Sequence, residues 1–169
     1  MLLDTALPLI IAGVAVLMDL RTAKVDNGWI CFSLVTGLFY RLLCQGIRGI
    51  LPFGAGVIFP FLILSTLFYF RMLGPGDIKV FCALGGILGV RRVGCCMLYT
   101  LFIGGIFSIL LLLIYGDIRQ RIRYFLRYIQ GYLLTGTVRP YYRKGMPSEN
   151  FHFTVPIFLS VMLYAGGFY

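Results

Sequence analysis

The sequence predicts an all-α integral membrane protein of about six transmembrane helices, with a basic amphipathic helix lying in the cytoplasmic interface between the fifth and the sixth. Three observations predict it. Of the 169 residues 60% are hydrophobic and 12% charged, where soluble domains carry about 25% charged residues. The apolar residues come in continuous runs, unlike the strict alternation of an outer-membrane barrel, and helices satisfy every backbone polar group internally. The charges fall between the runs, as loops and interfaces require. Residues 1–169 read as a single membrane-embedded domain.

Three uncharged stretches, residues 49–70, 93–116 and 150–169, are long enough to span. Residues 5–18, 27–40 and 80–90 are shorter between charges. They reach across if flanking Arg and Lys snorkel and the bilayer thins slightly. Arg91 and Arg92 interrupt an otherwise overlong run and predict a hairpin around residues 90–94. Gly85, Gly86 and Gly89 give the fourth segment a small face suited to close helix packing. In residues 117–134, Ile118, Ile122, Phe125, Leu126, Ile129 and Leu133 recur at helical spacing, with Arg119, Arg123 and Arg127 on another face. That is the interfacial helix, an anchor for the loop or a seat for a membrane-bound substrate.

A net charge of +9 in a soluble protein would suggest nucleic acid. Between apolar segments it reads instead as topology and as attraction to anionic lipid of the cytoplasmic leaflet, and no nucleic-acid partner is expected. Cys31, Cys44, Cys82, Cys95 and Cys96 are odd in number and show no CxxC spacing. Neither a disulfide framework nor a zinc site follows. The first segment carries Asp4 and lacks a basic leader region, so it is no ordinary signal peptide. Trp29 fits an interfacial aromatic belt.

Of six acidic residues, two stand where carboxylates are costly: Asp19 near the end of the first apolar stretch, and Asp77 just before the fourth. Two complete spans separate them, and an even number of crossings puts both on one face. The loops on that face hold Arg21, Lys24, Arg71, Lys79 and seven further basic residues between segments five and six; the opposite loops hold only Arg41, Arg48, Arg91 and Arg92. The asymmetry makes the aspartate face cytoplasmic and puts both termini outside. Paired carboxylates that share a proton serve as general base and general acid on water. Each also has a plainer reading. Asp77 suits a helix N-cap, with Gly74, Pro75 and Gly76 as turn residues, and Asp19 could be solvated near Arg21 and Lys24. In a pair, the helix N-terminus at Asp77 would favour its charged form and leave Asp19 the more readily protonated partner.

The residues Asp19-Leu20-Arg21-Thr22-Ala23-Lys24-Val25-Asp26-Asn27, followed by Gly74-Pro75-Gly76-Asp77-Ile78-Lys79, resemble the two motifs of the type IV prepilin peptidases and their archaeal preflagellin relatives, the GxGD intramembrane aspartyl proteases. Phe153-Thr154-Val155-Pro156-Ile157 loosely matches a PF-like element of their last helix. The resemblance implies a cytoplasmic-membrane aspartyl endopeptidase that removes the short basic leader of a prepilin-like precursor, with no metal or other cofactor. It also implies Asp19 and Asp77 as catalytic residues, with Gly74, Gly76, Lys79 and Asn27 supporting the motifs. Asp26 stands where many bacterial members have proline; it and Asn27 suit the cap of the second helix. The cysteine-rich insert of the bifunctional members is missing, which implies cleavage without N-methylation, as in the small stand-alone peptidases of tight-adherence pili. A proton- or cation-coupled transporter or channel subunit is a rival use of two intramembrane carboxylates. An inactive assembly factor of a pilus or secretion system is another. His152, the one histidine, cannot form a ligand cluster and reads as an interfacial structural residue. Lys79 either biases the charge on Asp77 or snorkels.

Overall fold

The structure, a computed structural model, describes residues 2–69, 73–114 and 152–169. Their regular structure is all helical, with no strand among them: α1 (Leu2–Thr22), α2 (Asn27–Gln45), a 3₁₀ turn (Gly46–Gly49), α3 (Ile50–Tyr69), α4 (Pro75–Leu88), α5 (Val90–Ile114) and α6 (Thr154–Ala165). The expected interfacial helix at 117–134 lies outside the described residues. One compact unit comprises residues 1–103 and 152–169. The other, 104–151, is described only where α5 runs on to Ile114.

Length and hydropathy qualify three stretches to cross a membrane: Leu3–Thr22, Asn27–Tyr69 and Val90–Leu111. The second contains both α2 and α3, folded back at the 3₁₀ turn. The helices α4 and α6, of 14 and 12 residues, rise only about 21 and 18 Å at 1.5 Å per residue. The expected sixth segment is thus shorter than residues 150–169. Large apolar side chains such as Phe39, Leu43, Leu51, Leu62 and Phe102 point outward, as lipid allows and water does not.

The fourth helix is the centre of its unit. Every residue from Val80 to Leu88 is buried, and α4 packs against α1, α2 and α3, while α1 packs against α6. The predicted small face is what lets α4 in. A Cβ on Gly85 would lie 2.0 Å from the Gly56 carbonyl oxygen of α3, and one on Gly56 would lie 2.1 Å from the Gly85 oxygen. Backbone therefore meets backbone at this crossing, the arrangement small residues permit in membrane helices. The expected hairpin is sharper than 90–94: Gly89 alone, at φ +82°, ends α4 and returns its N–H to the Gly85 carbonyl at 2.8 Å. Glycine adopts that backbone without a Cβ penalty. Arg41 Nε donates to the Gly86 carbonyl at 3.2 Å, placing a cation at the negative end of α4.

Candidate active site

Local sequence sets each carboxylate in place. At α4, Gly74 is the N-cap, Pro75 opens the first turn and Asp77 follows two residues later. Proline suits that first position because its missing N–H would go unpaired there anyway. Asp77 is therefore not the N-cap. It sits at the third helical position, and its carboxylate takes a hydrogen bond from the Gly74 backbone, one half of a capping box. A Cβ on Gly74 would stand 3.2 Å from Asp77 Oδ2, so glycine keeps this side of the carboxylate open. Gly76 faces Val25 at ordinary contact distance.

Asp19 lies three residues from the end of α1 and is half-buried. Beyond it the chain turns at Ala23, whose φ of +51° puts a non-glycine residue in the left-handed region, with Ala23 N–H bonded to the Asp19 carbonyl at 2.8 Å. Such a conformation costs about 1–2 kcal/mol. It aims the 23–26 loop at the start of α4. There Lys79 Nζ donates to Asn27 Oδ1 at 2.7 Å, joining residues 52 positions apart. Asn27 is thus tied to Lys79 rather than capping α2. The cap is Asp26, whose Oδ2 accepts the Gly28 N–H at 3.0 Å.

The two aspartates lie near enough for the charge of Asp19 to act on Asp77. Asp77 lies outside the three stretches that length and hydropathy qualify to cross a membrane. Burial, followed by the Asp19 charge, pushes its carboxyl up to about 6, against the lowering effect of the Gly74 bond. Desolvation and a neighbouring like charge outweigh the helix N-terminus at Asp77, so its carboxyl keeps a proton to higher pH than a solvated one.

Sequence reasoning missed what surrounds Asp19. Thr154 Oγ1 donates to Asp19 Oδ2 at 2.7 Å, and His152 Nδ1 lies 3.0 Å from the same oxygen. His152 is therefore a partner of Asp19, not a bystander at the interface. The loose match at 153–157 was the available signal, since it drew Thr154 into the motif-bearing part of the chain. Among the described residues no three metal-ligating side chains gather.

The model of the type IV leader peptidase family matches residues 6–113. The chain belongs to that family. No curated protein and no solved structure matches it. The matched stretch contains both motifs of this leader peptidase, with Asp19, Asn27, Gly74, Asp77 and Lys79, and ends before His152 and Thr154. Membership makes the protein a multi-pass membrane peptidase whose substrate is a protein of the prepilin type.

Proposed function

We propose that this leader peptidase is an aspartyl endopeptidase of six membrane passes, which cuts the short basic leader from prepilin-like precursors at the cytoplasmic face and does not methylate the product. The observation that carries the reading is the juxtaposition of Asp19 and Asp77, the only two acidic residues of the family motifs apart from the helix-capping Asp26. Ionised Asp19 draws a proton from water as the water oxygen attacks the scissile carbonyl. Protonated Asp77 gives its proton to the carbonyl oxygen. When the tetrahedral centre collapses, Asp77 recovers that proton and Asp19 passes its own to the leaving amine, which restores the starting charges. A precursor whose apolar helix already lies in the bilayer reaches such a site laterally.

The pH profile tests the chemistry. Asp77 must be protonated, so the rate is expected to fall as pH rises through about 6. The mechanism also needs one ionised group in the pair, so a bell-shaped profile is expected. The measurement is cleavage of a leader-bearing precursor by purified enzyme in detergent, over the range where the protein stays folded. A rate that climbs steadily from pH 5 to 9 excludes the shared-proton pair, bearing in mind that the two limbs report the pair and not single residues.

The charge asymmetry supports the orientation, and labelling tests it. With the native cysteines replaced, single cysteines at positions 24, 79 and 144 are expected to react from the cytoplasmic side and one at position 48 from the other. Opposite sidedness of positions 24 and 79 would separate the carboxylates and end the proposal.

A further inference from the structure

The hydroxyls of Thr22, Ser33, Thr36, Ser65 and Thr100 each turn back to a carbonyl of their own helix, three or four residues earlier. This is the usual resting place of a helical hydroxyl in an apolar setting. Thr154 is different. It is the first residue of α6 and is 2% exposed. Its hydroxyl crosses to α1 and donates to Asp19 Oδ2. The His152 ring, two residues earlier, reaches the same oxygen and not the other one. A carboxylate oxygen has two lone-pair sites: Thr154 Oγ1 fills one, and His152 Nδ1 fills the other in the tautomer that carries its proton there.

We propose that His152 and Thr154 are positioning residues that together saturate Asp19 Oδ2, fix the carboxylate plane, and leave Oδ1 as the oxygen that takes the proton from water. The inference rests on the reading of Asp19 as the catalytic base. It extends the site beyond the stretch that defines the family, which ends at residue 113, to the helix that packs against α1. With Oδ2 held by two donors, rotation of the carboxyl about its Cβ–Cγ bond breaks both bonds, so the geometry offered to the water is set before substrate arrives.

The test uses paired substitutions that separate hydrogen bonding from packing. Thr154→Val keeps the shape and loses the donor; Thr154→Ser keeps the donor. His152→Asn puts an amide N–H near the place of Nδ1, whereas His152→Gln puts it near the place of Nε2. The assay is cleavage of a precursor that the wild-type chain processes, with kcat and KM measured separately and folding checked by gel filtration and thermal unfolding in detergent. Loss of a hydrogen bond to a charged group predicts that Thr154→Val lowers kcat about ten- to a hundredfold with KM within about twofold. Thr154→Ser is expected to restore most of the rate, and His152→Asn to exceed His152→Gln. Equal activity within either pair overturns the assignment for that residue, and a fall in KM-dependent binding alone overturns it for both. If Thr154→Val does not fold, the half-exposed His152 pair carries the test. Asp19→Asn, run alongside, separates the two levels: full activity there defeats the aspartyl reading itself, while an inactive Asp19→Asn beside unaffected position-152 and position-154 variants defeats only this inference.

Discussion

Replacing either Asp19 or Asp77 with asparagine is expected to lower cleavage by at least about a thousandfold, the scale on which removing one member of a cooperating catalytic group acts. Asp26→Asn is expected to keep most of the activity. The three substitutions are close to isosteric, so they differ only in what the carboxyl group does. Asp19 and Asp77 face one another electrostatically. Asp26 instead accepts the Gly28 N–H as the cap of α2, and asparagine caps a helix about as well as aspartate. Membranes expressing each variant with a leader-bearing precursor, read by the mobility of the product, give the answer, with enzyme levels compared on the same gel. An active Asp19→Asn beside an inactive Asp26→Asn would transfer the catalytic role to Asp26.

The second large effect is on stability. Gly56→Ala and Gly85→Ala are each expected to destabilise the protein by about 2–3 kcal/mol, the upper part of the usual overpacking range. In both cases the new methyl falls near 2 Å from a backbone oxygen, and no rotamer change relieves a clash with backbone. Gly54→Ala is the control, two residues away on the same helix. A Cβ there meets nothing within 4 Å, and alanine is up to about 1 kcal/mol better than glycine inside a helix. Its midpoint of thermal unfolding in detergent should stay level or rise while those of the other two fall. Three equal midpoints would mean that α3 and α4 do not meet at these glycines.

Much of the site was legible because its chemistry lies in two short local patterns. Asp19 was marked by its place at the end of an apolar run, and Asp77 by the Gly74-Pro75-Gly76 turn. Parity of crossings put them on one face without any knowledge of packing. The helix small face was legible too, since Gly85 and Gly86 have no other evident use. What could not be read were contacts between distant residues of unremarkable type. Nothing in a lone histidine or a threonine 135 positions from Asp19 announces that the two meet. The Lys79–Asn27 bond was hidden for the same reason. Each residue was singled out, but spacing along a chain does not say which polar group will answer which. The proton on Asp77 was hidden for another reason: burial and a second carboxylate act on it more strongly than the helix end that a local rule considers.

The glycine contact between α3 and α4 has a mechanical consequence. Helices that meet through side chains can slide by changing rotamers, but Gly56 and Gly85 leave no side chain to adjust. The joint behaves as a rivet, and the α4 carboxylate rides on a fixed frame. Asp19 rides on α1, whose neighbour α6 also supplies the two groups that hold it. A motion that admits a peptide between the two carboxylates is therefore expected to involve α1 and α6 rather than the glycine joint of α3 and α4.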